Sequence, residues 1–101
     1  MNFEDHALKA SADNACALLK ALANPHRLMI VCALLDREQS VGALAQALGV
    51  RESLASQHLG LLRRDGVVSA RRDGQTIYYA LRSGQARAVV ETLSNQFCAV
   101  A

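Results

Sequence analysis

Aromatic residues are scarce in this 101-residue chain: two Phe, two Tyr and no Trp, 4% in all. An interior built without them must be filled by Ala, Leu and Val. No stretch approaches the ~18 uninterrupted apolar residues of a membrane-spanning helix. The longest apolar run, Leu28 to Leu35, suits a buried helix instead. The opening residues Met1 to His6 are acidic and lack the basic stretch and apolar run of a signal peptide, so a cytoplasmic location is expected. The three cysteines, Cys16, Cys32 and Cys98, are odd in number and widely spaced, unlike a secreted disulfide framework. There is no CxxC, CxC or HxxxH, and His6, His26 and His58 stand far apart, which excludes a zinc site made from one local motif. The glycines are scattered rather than gathered into a phosphate loop, and no local motif supplies a Ser/His/Asp or Cys/His set. Neither an enzyme nor a bound cofactor is expected.

What is present suffices for one domain across residues 1–101. The chain is 51% hydrophobic with a formal net charge of +2, which excludes a disordered polyelectrolyte. A small core this apolar often completes its burial against a second copy.

Residues 5–22 are rich in Ala and Leu, with Lys9, Asp13 and Lys20 on a polar stripe, and predict a helix. Asn24-Pro25 supplies a cap and a first-turn proline for a second helix over 25–36, whose buried face should carry Leu28, Cys32 and Leu35. Ser40 caps a third helix over 41–48, closed by Gly49, and a fourth opens at Arg51 or Glu52 and runs to Arg64. Its inward positions are Ala55, Leu59 and Leu62. Two short helices joined by a tight glycine turn predict a helix-turn-helix over about 40–64. The period then changes. Two β-rich runs, Val67 to Arg72 and Gln75 to Leu81, are separated by Asp73-Gly74, which predicts a hairpin over about 67–81. Residues 84–100 return to a helical pattern, with Val89, Leu93, Phe97 and Val100 on one face.

The expected fold is therefore mainly α with a small β-hairpin, in the order α-α-α-α-β-β-α. A hairpin directly after a helix-turn-helix is the wing of a winged-helix DNA-binding domain. The second helix of the pair can enter a major groove ~12 Å wide with its N-terminal half facing base edges. That half offers Arg51, Glu52, Ser53, Ser56, Gln57 and His58. Arg63 and Arg64 close the helix, while Arg71, Arg72 and Gln75 flank the hairpin tip, where they could clamp phosphates or reach a minor groove. For His58 two roles stand open: a phosphate contact, or packing against the third helix. Double-stranded DNA is the expected partner.

Four segments resemble the ArsR/SmtB-type winged-helix repressors: Asn24 to Leu28, Ser40 to Ala45, Ser56 to Arg63 and Gln75 to Tyr79. The likeness runs from about residue 15 to residue 98. It implies a homodimer joined through the first and last helices, about 5–22 and 84–100, that binds an inverted-repeat operator and releases it on a chemical signal. One departure is local: where relatives commonly have Ser-Gln-Ser, this chain opens its fourth helix with Arg51-Glu52-Ser53.

Metal-sensing members of that family resemble one another in a Cys-x-Cys pair on the third helix or Asp/His sets on the last. Here the third helix has no ligand and the last has only Glu91, so no family metal site is expected. Cys32 and Cys98 lie in segments similar to the paired-thiol segments of the BigR, SqrR and HlyU-like branch, which responds to reactive sulfur species or oxidants. In that branch oxidation links the two cysteines. Such a bridge here would close a loop of 66 positions, worth ~4 kcal/mol of chain entropy. Three alternatives stand beside it: arsenite or another soft metal bound by the thiolates, a constitutive regulator, and Cys32 as ordinary core packing. Cys16, among alanines, reads as inert packing or an interface thiol.

The mild net charge hides a segregation. Residues 51–87 hold seven arginines against Glu52, Asp65 and Asp73, whereas residues 1–50 and 88–101 each carry −1. The DNA-reading unit is basic and the flanking helices weakly acidic.

Overall fold

A computed structural model describes residues 5–97, with side chains from residue 7 onward. The elements are α1 (Asp5–Leu22), α2 (Pro25–Ala33), β1 (Gln39–Ser40), α3 (Val41–Leu48), α4 (Glu52–Arg64), β2 (Val68–Asp73), β3 (Thr76–Leu81) and α5 (Gly84–Phe97). This is a winged helix-turn-helix, as the sequence predicts. It gains one element, the two-residue β1, which pairs antiparallel with β3 so that the sheet order is β1-β3-β2.

The helix ends explain how the elements are joined. Asn24, in an extended conformation, accepts hydrogen bonds through Oδ1 from the backbone N–H groups of His26 (2.9 Å) and Arg27 (3.2 Å). Two otherwise orphaned donors of the first turn are thereby satisfied. Arg27 then reaches back: its Nε donates to the carbonyl of Ala21 at 2.7 Å and its Nη2 to that of Lys20 at 3.3 Å, capping the C-terminus of α1. Ser40 Oγ accepts from Ala43 N at 3.1 Å, and Gly49, at φ 71, closes α3 in the left-handed conformation that glycine adopts without steric penalty.

α2 ends at Ala33, three residues short of the expectation. Its carbonyl accepts a hydrogen bond from Gln39 Nε2 at 2.6 Å, and Arg87 Nη1 from α5 donates to the carbonyl of Leu35 at 2.7 Å. Side chains distant in sequence take up acceptors that further helix would have used.

The core is formed by the inner faces of α2 to α5 and the sheet, with Ala21 and Leu22 from the end of α1. Ala55, Leu59 and Leu62 of α4 are all fully buried, as predicted. On α2 the buried face is different. Ile30, Val31 and Leu34 fill the interior, while Leu28, Cys32 and Leu35 are only half-buried at its edge. Because Leu28 to Leu35 is apolar at every position, periodicity cannot say which face turns inward; packing against α3 and α4 decides it. The same correction holds for α5. Ala86 and Val90 are fully buried, Val89 and Leu93 half-buried, and Phe97 is 82% exposed. Val100 lies outside the described residues.

In the hairpin, Asp73 pairs with Thr76, so the two-residue turn is Gly74-Gln75, one position later than Asp73-Gly74. Gly74, at φ 64, takes the first turn position, where a positive φ favours glycine. Ala70 consequently faces Tyr79 rather than Ile77. Val68, Ala70 and Tyr79 lie on the sheet face that packs against the helices, and Arg71 and Tyr78 lie on the other.

Candidate nucleic-acid interface

α4 separates its residues sharply by face. Ala55, Leu59 and Leu62 hold one side against the core with no exposed surface, while Glu52, Ser53, Ser56, Gln57, Arg63 and Arg64 are exposed on the other. The hydrophobic face anchors the helix so rigidly that the polar face is presented as a unit. Arg51 is the N-cap residue, extended at φ −69 and ψ 150, and makes no side-chain cap. The first turn of α4 therefore keeps unsatisfied N–H donors at the positive end of its dipole. Gly42 in α3 meets α4 there: a side-chain carbon at Gly42 would lie 3.5 Å from Glu52 Oε1, so the two helices approach closely at the turn.

The remaining expected contact residues separate into three environments. Ser40 is occupied as the cap of α3, half-buried beside β3. Arg64 is open to solvent and touches only the neighbouring carboxylate of Asp65, at 3.3 Å. Arg72 and Gln75 are exposed near the wing tip.

His58 and Arg71 are held by the protein itself. His58 does not share the exposed stripe of α4: it is half-buried, and its ring stands 5.4 Å from that of His26 on α2. Its packing partner is thus α2 rather than the third helix. Its Nδ1 is buried without a hydrogen-bond partner among the described residues. Burial, and then the His26 and Arg27 charges, push its pKa below that of an ordinary histidine. Arg71 lies over the ring of Tyr78, 4.7 Å from its centroid, and is bound through Nε and Nη2 to the carboxylate of Glu38. The hydrogen bond from Arg71 is the main cause that lowers the pKa of Glu38, and the reciprocal bond raises that of Arg71. Glu38 and His26 are the two residues that sequence reasoning missed. Neither has a local signal, because both matter only through partners more than 30 positions away.

Cys32 lines a small, open and almost wholly apolar cleft of about 260 Å³ between α2 and the last turns of α5, with Leu28, Leu93, Ser94 and Phe97. Cys98 lies outside the described residues. Cys16 is exposed on α1. Among the described residues there is no group of three or more His, Cys, Asp or Glu side chains able to hold a metal ion, and no helix long and apolar enough to cross a membrane.

This arrangement of helix pair, wing and basic outer face has close counterparts. The profile of the bacterial regulatory proteins of the arsR family matches residues 24–70. The transcriptional activator HlyU of Vibrio cholerae is 44% identical over 98 residues, which cover 97% of this chain and 89% of that protein. The chain belongs to the ArsR family. Its fold agrees with reduced HlyU from V. cholerae at a TM-score of 0.89, over 93% of this chain and 99% of the other. The transcriptional repressor BigR from Xylella fastidiosa superposes at a TM-score of 0.85 with 40% identity, over 93% of this chain and 96% of its own. A homodimeric winged helix-turn-helix DNA-binding domain from Mycobacterium bovis, 32% identical, gives 0.77 over 93% of this chain and 87% of that one. This ArsR-family chain is accordingly a DNA-binding transcriptional regulator of the HlyU and BigR branch, and its relatives are regulators rather than enzymes.

Proposed function

We propose that this ArsR-family chain is a homodimeric repressor that reads an inverted-repeat operator with α4 and is released from it when Cys32 and Cys98 are oxidised. The observation that carries the DNA half is the division of α4. Ser53, Ser56 and Gln57 are short or planar hydrogen-bonding groups suited to base edges, and they stand on the face opposite three fully buried apolar residues. Arg51, Glu52 and Arg64 border that face, and Arg72 and Gln75 extend it through the wing. Phosphate contacts from the arginines would position the helix, and side chains from its first turns would specify sequence.

Dimerisation has its own support. Leu19 on α1 and Phe97 on α5 are large apolar side chains at 55% and 82% exposure, a surface that a second copy would cover. The M. bovis domain is described as homodimeric.

The thiol half rests on the cleft between α2 and α5. Cys32 lies in it beside Phe97, the residue that precedes Cys98 in sequence. Oxidation of both thiols by a peroxide removes two electrons and two protons and forms one S–S bond; a persulfide donor would leave a longer sulfur chain. Either bridge ties α2, which abuts α4 and α3, to the end of α5. That link would favour one arrangement of the reading helices over another. The V. cholerae HlyU structure is of the reduced form, so oxidation state is a variable of that relative too.

The test is operator affinity by fluorescence anisotropy before and after persulfide or peroxide treatment. The parent is expected to lose affinity while Cys32→Ser and Cys98→Ser retain it. Release by both variants, to the same extent as the parent, would refute the thiol switch and leave the DNA reading intact.

A further inference from the structure

The sheet carries an ion pair whose geometry bears on how the wing meets DNA. Its strand order is β1-β3-β2, and Tyr78 in the middle strand pairs with Ser40 on one side and Arg71 on the other. Glu38 stands two positions before Ser40, so the two-residue period of an extended chain sets it on the same face. Arg71 therefore crosses the middle strand. Its guanidinium lies 4.7 Å above the Tyr78 ring, and its Nε reaches both carboxylate oxygens of Glu38, at 3.0 and 3.1 Å, while Nη2 donates to one of them. Asp73 adds a second acidic group 4.0 Å away. A planar guanidinium bound through two nitrogens to a carboxylate uses the fork that would otherwise grip a phosphate.

Arg72 alternates to the opposite face, the one on which Val68, Ala70 and Tyr79 pack against the helices, and it enters no ion pair among the described residues. Two adjacent arginines in one strand thus have different assignments. One is neutralised inside the protein and the other is open.

We infer that Glu38 is a positioning residue that occupies Arg71 in place of a DNA phosphate, so that Arg72, and not Arg71, supplies the wing's ionic contact. The inference rests on the wing touching DNA, as proposed above. Its consequence is a count of charges. Each phosphate neutralised by the protein steepens the fall of log affinity with log salt by about 0.9. Arg71, already paired, should not contribute to that slope. Replacing Glu38 by Gln removes the competing carboxylate while keeping an acceptor of similar shape, and it should release Arg71 to a phosphate.

The experiment measures affinity against salt concentration for a duplex enriched from a random-sequence pool by the wild-type chain. The proteins are wild type, Glu38→Gln, Arg71→Gln, Arg72→Gln and the double variant Glu38→Gln/Arg71→Gln, each checked for native circular dichroism. The expected results are a wild-type slope for Arg71→Gln and a slope shallower by about 0.9 per bound subunit for Arg72→Gln. Glu38→Gln should be steeper by the same increment, and the double variant should return to the wild-type slope. A merely structural ion pair would change affinity without changing the slope. If Arg71→Gln flattens the slope as Arg72→Gln does, or Glu38→Gln leaves it unaltered, the assignment of Glu38 is wrong although the wing still binds. If Arg72→Gln also has no effect, the wing does not make an ionic contact, and both the inference and that part of the proposed interface fall.

Discussion

The imidazole rings of His26 and His58 face each other at 5.4 Å, tilted by 50°, and join the first turn of α2 to the middle of α4. Burial lowers the pKa of His58, and the charges of His26 and Arg27, both on α2, lower it further. Folding thus favours the neutral ring. The unfolded chain takes up a proton first on acidification, so this contribution is complete above the ordinary histidine range near pH ~6.5 and is lost as the pH falls through it toward the folded-state value. Urea midpoints across pH 5 to 8, taken as rough limits of histidine titration, should fall more steeply on acidification for wild type than for His58→Gln. Parallel curves would show that His58 is not linked to folding.

The two faces of α4 should answer differently to truncation. Leu59 has no exposed surface, and Leu59→Ala should cost ~2–5 kcal/mol of stability through lost burial and a cavity. Ser56 is exposed on the opposite face, and Ser56→Ala should change stability by less than ~0.5 kcal/mol while weakening operator binding. Denaturant unfolding and anisotropy on the same two variants check the pair. A large stability loss from Ser56→Ala would contradict the division of the helix.

Asn24 accepts two backbone N–H groups at once, so Asn24→Ala should destabilise the fold by about 0.5–2 kcal/mol. Asn24→Asp should be nearly neutral, because a carboxylate accepts the same bonds at the positive end of the helix. A thermal melt that separates neither variant from wild type would argue against the cap.

Phe97 is the most exposed of the large apolar side chains, at 82%. Within the proposed homodimer, Phe97→Ser removes burial worth roughly 1.5–3 kcal/mol per side chain, which is at least a tenfold rise in the dissociation constant. Sedimentation equilibrium reads this directly. A Phe97→Ser protein that associates as tightly as wild type would place the subunit contact elsewhere.

Much of the architecture could be read along the chain because its signals are local. The Asn24-Pro25 and Ser40 caps, the left-handed Gly49 and the Ala55/Leu59/Leu62 spacing each act within one or two helical turns, and all are found where the sequence predicts them. The position of the hairpin was equally plain, although its turn falls one residue later because Gly74 takes the position that requires a positive φ. Where the pattern was degenerate, it misled. An unbroken apolar run from Leu28 to Leu35 is compatible with any inward face, so the half-buried edge bearing Cys32 was mistaken for the buried one.

The candidate site divides in the same way. Its outer face on α4 follows from helical periodicity, and Ser53, Ser56 and Gln57 stand exposed together for that reason. The fates of His58 and Arg71 do not. A histidine and an arginine at the edge of a basic segment look alike in sequence whether they face DNA or the protein. What separates them is a ring on α2 and a carboxylate before β1, brought close by strand order and helix packing.

Sequence by itself determined the elements, the caps that bound them, the basic character of residues 51–87 and the family they resemble, because backbone preference and periodicity are short-range. Only the tertiary structure decided which apolar face is core, which arginine is already neutralised and which histidine is withdrawn from the surface. Those outcomes depend on pairs such as Arg71 with Glu38, 33 positions apart, and no local propensity encodes a contact whose two halves meet only after the chain has folded.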